Sequence, residues 1–264
     1  MGAVIDNALG DLLAPWLLGG ALILVRLVVM VSFVPAFGER EVPLRIRVIL
    51  AVVLSAILDL ALGGVAVPVP DDPFTLGMMV GREAILGFGL GFAVHLIIAT
   101  ASAAGATASM TMGLGMSNMV DPVSGENSLS LGALLSLVAA LMFVTLDGHH
   151  VVIGALAKHL RGLPVGSLSL ELPSLNTLVG VGDDLVRTAI LLAAPVLTVT
   201  LLLNISIGFI SRVVPSVNLF GIGLGLLILG ALIALQHEGQ ALLRIVEHEV
   251  ERLPDRMFRL APGS

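Results

Sequence analysis

The sequence contains no cysteine and a single lysine, Lys158, and only 12% of its 264 residues are charged. Without thiols, the chain has neither a disulfide framework nor thiolate ligands for a metal ion. Its formal net charge of -6 leaves no basic stripe of the kind that neutralises a phosphate backbone. These absences exclude a disulfide-stapled domain and argue against a nucleic-acid partner.

Apolar residues dominate instead, making up 57% of the chain and giving a mean hydropathy of +1.06. One soluble core would not cover that much apolar surface, so the composition predicts an integral membrane protein. A bilayer core of about 30 Å needs about 20 helical residues per crossing. Six stretches reach or approach that length, at residues 12–37, 48–67, 76–102, 129–146, 188–210 and 213–235. We therefore predict an all-α fold of membrane helical hairpins in a single domain, residues 1–264.

The two ends of the chain differ from this apolar middle. Asp6 and Asp11 stand where a secretory signal carries basic residues, so we expect the N-terminus to be retained. The polar tail, 236–264, repeats apolar residues at helical spacing between charges, at Leu242, Ile245, Val246, Val250 and Leu253. It predicts an amphipathic helix. Because its polar face mixes acids with bases, packing on its own complex is favoured over the lipid interface.

The orientation of the helices cannot be read from positive charge. In an arrangement with six crossings, arginines and Lys158 fall on both sides of the membrane, so the positive-inside rule gives no answer. Two explanations are open. Some segments are re-entrant hairpins that never cross, or the helices are buried in an oligomer rather than facing lipid.

A methionine-rich segment, residues 105–127, is the most distinctive part of the chain. Four of the ten methionines lie within it, and two glycines between them weaken any helix. These residues are Met110, Met112, Gly113, Gly115, Met116 and Met119. A flexible loop bearing such soft side chains could close a constriction and re-pack around a passing peptide. From the residues alone, ordinary gap-filling core methionines are an equal alternative.

Close helix packing is the interpretation we favour for the glycine-rich apolar segments. Gly87 with Gly91, and Gly221 with Gly225, form G-x-x-x-G pairs and lack the G-x-G-x-x-G spacing of a dinucleotide loop. Arg26 lies near the middle of the first apolar stretch, where an arginine facing lipid is costly. We expect it to face a partner helix or a cavity.

No catalytic or metal-binding motif is present. Asp147, His149 and His150 cluster in sequence, but nothing matches H-E-x-x-H, and no G-x-S-x-G elbow occurs. We predict a protein that is not an enzyme, with no metal and no cofactor. An ion-coupled secondary transporter of a small solute, using Glu83, Asp147 and His149, is kept as the alternative function.

Several segments, in order and spacing, resemble the FliR family of flagellar type III export-gate proteins and its injectisome counterparts. They are PAFGEREVPLRIR (35–47), MGLGMSNMVDP (112–122), LMFVTLDGHH (141–150), LPVGS (163–167) and the run from 194 to 223. The chain departs from the family pattern at Thr111, where a glutamine is common, and at GLGLL (223–227), which lacks a proline and a lysine.

The resemblance implies an all-helical subunit, one copy in a spiral complex that lines and plugs a pore. Its expected partners are FliP-like and FliQ-like subunits, FlhB-like and FlhA-like proteins, membrane lipid, and the unfolded flagellar proteins that are exported. The expected location is the bacterial inner membrane, in the flagellar basal body. Such complexes hold many helices away from a conventional crossing, which would explain the divided positive charge.

The resemblance also implies roles for particular residues. The loop equivalent to 106–122 would plug the pore, with Met110, Met112, Gly113, Gly115, Met116, Asn118, Met119, Asp121 and Pro122 as its gasket. Subunit packing would involve Arg26, Gly87, Gly91, Asn218, Phe220, Gly221 and Gly225. The motif turns would contribute Pro43, Arg45, Arg47, Gly148 and His149.

Overall fold

The described residues of the computed structural model are 2–35, 37, 42–113, 131–168, 172–213 and 219–261. Within them the secondary structure is helical, with no strand. Eight helices occupy these ranges. They are α1 (Gly2–Val31), α2 (Leu44–Ala61), α3 (Pro73–Thr111), α4 (Leu131–Thr145), α5 (Gly148–Gly162), α6 (Leu175–Val213), α7 (Leu219–Glu251) and α8 (Leu253–Leu260). The predicted all-α class is confirmed.

Each of the six apolar stretches lies mainly in a helix, but the helices extend beyond the stretches. Both α3 and α6 run for 39 residues, well past the apolar segments that predicted them. The start of α3 is capped by Asp72, whose carboxylate accepts a bond of 3.1 Å from the backbone N–H of Thr75. Pro73 takes the first helical position, where its missing N–H costs nothing.

Three helical segments are long and apolar enough to cross a membrane: Leu12–Val31, Pro73–Thr111 and Leu175–Val213. The number rises to five if each of two bent helix pairs forms one span. One such pair is α4 with α5. A bent pair of this kind is either a broken span or a re-entrant loop, so both explanations of the charge pattern stay open. α2 falls outside this set, and its sequence carries Arg45, Arg47 and Asp59.

Contacts divide the chain into two compact units. The first contains residues 1–95, 147–178 and 250–264, and the second contains residues 96–146 and 179–249. The prediction of a single domain stays a prediction.

In the first unit, α1 packs against α2, and an extended segment after α2 returns along α1. The Val67 N–H donates to the Pro15 carbonyl over 2.9 Å. Gly19 lies directly under the Val65 carbonyl, where a side chain would clash with the backbone. α5 in turn packs against α8.

In the second unit, α6 and α7 pack through small residues. A Cβ on Gly230 would lie 2.5 Å from a methyl group of Leu203, and one on Gly223 would lie 3.3 Å from Ile207. α4 meets the end of α3 where Gly105 lies against Gly132. These approaches show why glycine recurs in the apolar helices.

The amphipathic tail is helical, as predicted, but it is not a separate helix. It continues α7 to Glu251, and α8 follows after Arg252. Its predicted apolar positions Leu242, Val246, Val250 and Leu253 are buried, and Ile245 is half-buried.

Candidate gate segment and buried charge cluster

The methionine-rich segment begins inside α3, not after it. We predicted a loop from residue 105, but α3 continues to Thr111, so that prediction is wrong for residues 105–111. The helix tolerates Gly105 because that glycine is a packing site. A Cβ there would lie 2.5 Å from the Leu131 carbonyl oxygen and 2.7 Å from the Gly132 Cα.

Gly113 is the glycine that ends the helical path. Its φ of +76° is in the left-handed region that glycine adopts without strain. Its N–H donates to the Met110 carbonyl over 3.2 Å, which tightens the last turn. A Cβ at this position would lie 3.2 Å from a methyl group of Leu224 on α7.

The two described methionines of the predicted gasket lie in opposite environments. The Met110 side chain is 78% exposed, whereas Met112 is 1% exposed. Met112 is therefore a core residue of its unit, as the alternative interpretation held, and Met110 is the methionine that other surfaces can reach. The remaining gasket residues lie outside the described part of the chain: Gly115, Met116, Asn118, Met119, Asp121 and Pro122.

A cluster of buried charges joins α1, α3 and α5 in the first unit. Arg26 and Glu83 are both fully buried, and Arg26 Nε donates to Glu83 Oε2 over 2.6 Å. The other oxygen, Oε1, accepts from Arg82 NH1 over 2.6 Å. One carboxylate thus serves two guanidinium groups in the interior.

His159 completes this charge cluster from α5. Its Nε2 lies 2.8 Å from the Ala261 carbonyl oxygen, so Nε2 carries the proton and donates. Its Nδ1 lies 3.2 Å from Arg26 NH1, which has only hydrogens to offer, so Nδ1 accepts. The imidazole is therefore neutral. Arg26 NH1 also donates to the Leu163 carbonyl over 3.2 Å.

The charge cluster fastens the C-terminal residues to the unit. The Leu260 carbonyl crosses α3 at Gly89, where a Cβ would lie 2.7 Å from its oxygen. The next residue, Ala261, accepts from His159, and the His159 ring stacks on Phe258 with centroids 5.7 Å apart. Buried charges are costly unless they are paired and hydrogen-bonded. These paired charges hold α1, α3, α5 and the end of α8 together.

Arg26 thus faces a helix of its own chain, α3, together with His159. The same is true of two glycines assigned to subunit packing. A Cβ on Gly91 would lie 2.7 Å from the Met30 carbonyl oxygen, and Gly87 meets the Arg26 carbonyl still more closely. Their predicted role between subunits stays a prediction.

The second glycine pair shows a different pattern. No atom lies within 4 Å of the place where a Cβ on Gly225 would sit, so that surface is open within the described chain. The helix path includes Phe220 and Gly221, while Asn218 lies outside the described residues. The contacts with α6 come from Gly223 and Gly230, which were not among the predicted packing residues.

The predicted motif turns occur at helix starts. Pro43 is the residue before α2, followed by Arg45, which is exposed, and Arg47, which is half-buried. Gly148 is buried at the start of α5, and His149 beside it is half-buried.

Asp147, His149 and His150 form a cluster at the start of α5. Asp147 has a left-handed φ of 57° and is 72% exposed, and its Oδ1 lies 3.2 Å from His150 Nδ1. One potential ligand atom from each residue lies within 4.8 Å of the others. In a tetrahedral zinc site with bonds of about 2.1 Å, ligand atoms lie roughly 3.4 Å apart. The expectation of no metal stays a prediction.

The described geometry gives no support to the transporter hypothesis, which used Glu83, Asp147 and His149. Glu83 is held in the interior by two arginines, and Asp147 is 72% exposed at the start of α5.

Comparison with known proteins decides the family. Residues 17–253 match the sequence family described as bacterial export proteins, family 1. The chain belongs to this family. The flagellar biosynthetic protein FliR of Escherichia coli strain K12 is 29% identical over 200 residues, which cover 76% of each chain. FliR of Pectobacterium carotovorum is 27% identical over 222 residues, covering 80% of this chain and 82% of the relative.

A relative with a different name is also similar. The surface presentation of antigens protein SpaR of Salmonella typhimurium is 26% identical over 184 residues, covering 69% of this chain and 65% of the relative. The family resemblance drawn from the motifs is confirmed.

Within this export-family chain, sequence reasoning missed the connections of the charge cluster. Arg26 was singled out, but its partners Glu83 and His159 lie 57 and 133 positions away. No spacing rule links such positions. The helix that carries His159 could have been predicted, because Val152, Leu156 and Leu160 recur at the spacing of one buried helix face.

Proposed function

We propose that the chain is a non-enzymatic subunit of the flagellar type III protein export gate, where it lines and plugs the export pore. The observation that carries this proposal is the match to bacterial export proteins across residues 17–253. It is supported by the relatives named flagellar biosynthetic protein FliR, which align with about three quarters or more of the chain.

Exposed apolar surface supports a subunit that is completed by partners. In the second unit, α6 exposes Leu201, Leu202 and Phe209 at 59% or more. The same helix exposes Asn204, whose amide is costly to leave facing hydrocarbon. Partner helices of FliP-like and FliQ-like subunits would cover such a face, and FlhB-like and FlhA-like proteins would dock on the completed complex.

The plug is assigned to the end of α3 and the residues that follow it. Exposed Met110 and the left-handed turn at Gly113 support an exit of the chain from the helix at this point. Methionines beyond the turn would close on one another at rest and re-pack around an unfolded flagellar protein during export. Buried Met112 anchors the base of the segment and is not part of the moving seal.

The location that fits this role is the bacterial inner membrane, in the flagellar basal body. The polar contacts of Arg26 with Glu83, His159 and the Leu163 carbonyl support a helix α1 that is shielded by protein on one side. Non-helical backbone is tolerated at membrane depth only where protein or water covers it. No nucleic acid takes part.

The experiment that tests the function is affinity purification of the tagged chain from its own cells in mild detergent, with identification of the subunits. The proposal expects FliP-like and FliQ-like subunits in fixed ratio to one copy of this chain. A monomer or homodimer that is stable without heterologous subunits would refute it.

A further inference from the structure

We infer that the outer face of α2 is the surface through which this subunit contacts lipid, with Arg45 and Arg161 placed at the two headgroup levels. This inference rests on the membrane character of the chain and does not depend on its role in export.

One face of α2 is buried and the opposite face is uniformly aliphatic. Ala51, Ser55 and Leu58 are the buried residues, at the i, i+4, i+7 spacing of a single stripe. The exposed residues opposite them are branched and large, with exposures from 45% to 81%. They are Ile46, Ile49, Val52, Val53, Ile57 and Leu60.

The kind of side chain distinguishes lipid from protein as the occupant. Helix interfaces inside membranes are enriched in glycine and in hydroxyl and amide side chains, whereas lipid requires none of these. The exposed face of α6 carries Asn204, Ser206 and Gly208, with open space at Gly208. Between Arg45 and Leu60, the exposed face of α2 has no polar residue and no glycine. Of the two faces, α2 is the one suited to acyl chains.

α2 is not among the segments that are long and apolar enough to cross a membrane by themselves, but the length of its aliphatic face is close to that of the hydrocarbon layer. α2 has 18 residues, and at about 1.5 Å per residue it is about 27 Å long, close to the bilayer core of about 30 Å. A cation lies at each end. Arg45 is exposed at the first turn, and Arg161 is exposed beside Leu62, the residue that follows the helix, where both line a cavity of about 230 Å³.

The residues at the two ends of α2 are of the kind found at the level of the lipid headgroups. Near the second end, the ring of Trp16 covers Gly64, and tryptophan is enriched at membrane interfaces. At the first end, Arg45 lies at the positive end of the helix dipole, so a nearby anion would offset the repulsion. A lipid phosphate supplies that anion to Arg45.

The absence of cysteine makes a direct test possible. A nitroxide label is attached at Val53→Cys in the complete complex, reconstituted in bilayers of phosphatidylglycerol and phosphatidylcholine. Ser55→Cys, buried on the same helix, is the matched control. The complex with the cysteine-free wild-type chain shows how much label attaches to the partner subunits. Ile57→Cys repeats the measurement if Val53→Cys does not assemble.

Lipid contact predicts that oxygen collides with the label at Val53→Cys several-fold more often than a water-soluble nickel chelate does. A label shielded from both reagents, as expected at Ser55→Cys, would mean that a partner protein covers this face, and would overturn the inference. Frequent collisions with nickel would overturn it as well, since they place the face in water.

A second measurement tests the headgroup contact. Spin-labelled lipids should show a preference of the complex for phosphatidylglycerol over phosphatidylcholine. Arg45→Gln should reduce that preference and Arg45→Lys should restore most of it. An equal preference in wild type and Arg45→Gln would remove Arg45 from the inference.

Discussion

Removing the charge of Glu83 is the sharpest test of the buried charge cluster. Glu83→Gln keeps the size of the side chain but replaces one acceptor oxygen with an amide that can only donate. Both oxygens now accept from guanidinium groups at 2.6 Å, from Arg26 and from Arg82. The substitution therefore places an amide N–H donor against a guanidinium N–H donor. It also removes the negative charge that Arg26 and Arg82 share.

The expected cost follows from the burial of the groups. Removing one partner of a buried ion pair costs about 3–5 kcal/mol, because the remaining charge is left uncompensated. For a chain of this size, each kcal/mol shifts the midpoint of thermal unfolding by about 2–4 °C, so we expect a fall of roughly 10 °C. The midpoint is measured by heating the purified complex and following the loss of the intact peak in size-exclusion chromatography.

Glu251→Gln is the matched control, because it is the same substitution at an exposed position of α7. Its expected effect is within about 0.5 kcal/mol. Arg26→Met combined with Glu83→Gln should cost less than the sum of the two single changes, by about 0.5–3 kcal/mol. If Glu83→Gln melts within about 2 °C of Glu251→Gln, the charge cluster does not stabilise the subunit and this reasoning is wrong.

Two further predictions concern other parts of the fold. Met112→Ala should destabilise the complex by about 2–5 kcal/mol because it opens a cavity in the core, while Met110→Ala should change stability by less than about 0.5 kcal/mol. Equal melting midpoints for the two variants would contradict the burial difference. The Thr75 hydroxyl and backbone N–H hold the pKa of the Asp72 carboxyl below its ordinary value. The cap is therefore fully formed above about pH 4 and is lost as the pH falls through that lower pKa. Hydrogen exchange in the first turn of α3 should accelerate at acidic pH in the wild type but not in Asp72→Asn, after correction for intrinsic rates. The same pH response in both proteins would exclude Asp72 as the titrating group.

Composition and the apolar stretches predicted the all-α fold class, and each of the six stretches lies mainly in a helix. Helix ends were harder to predict. Gly105 is the first residue of the segment that was predicted to be a loop, yet it lies in α3, and the close approach of Gly132 makes it a packing residue. The role of this glycine depends on a neighbour that is distant in the sequence. Helix propensity alone does not predict such a contact.

α5 was missed for a related reason. Asp147 and the two histidines after it suggested a polar turn, and Lys158 and Arg161 interrupted the apolar pattern. The buried positions of α5 nevertheless recur at helical spacing, so a periodicity count would have found the helix. The charge cluster was only half predicted. The cost of an arginine in an apolar stretch required a partner for Arg26, but which residue provides it depends on the packing of α3 and α5.

The most direct test of the gate concerns the segment beyond Gly113. A deletion of residues 106–119 would also remove the end of α3 and buried Met112. Deleting residues 114–119 alone leaves α3 and its anchor in place. Ion permeability is then measured in cells whose complexes are shown by purification to be complete. We predict a membrane leaky to small ions in the deletion strain and a tight membrane in the wild type. Equal, low permeability in both strains, with the complex fully assembled, would contradict the assignment of this segment as the seal.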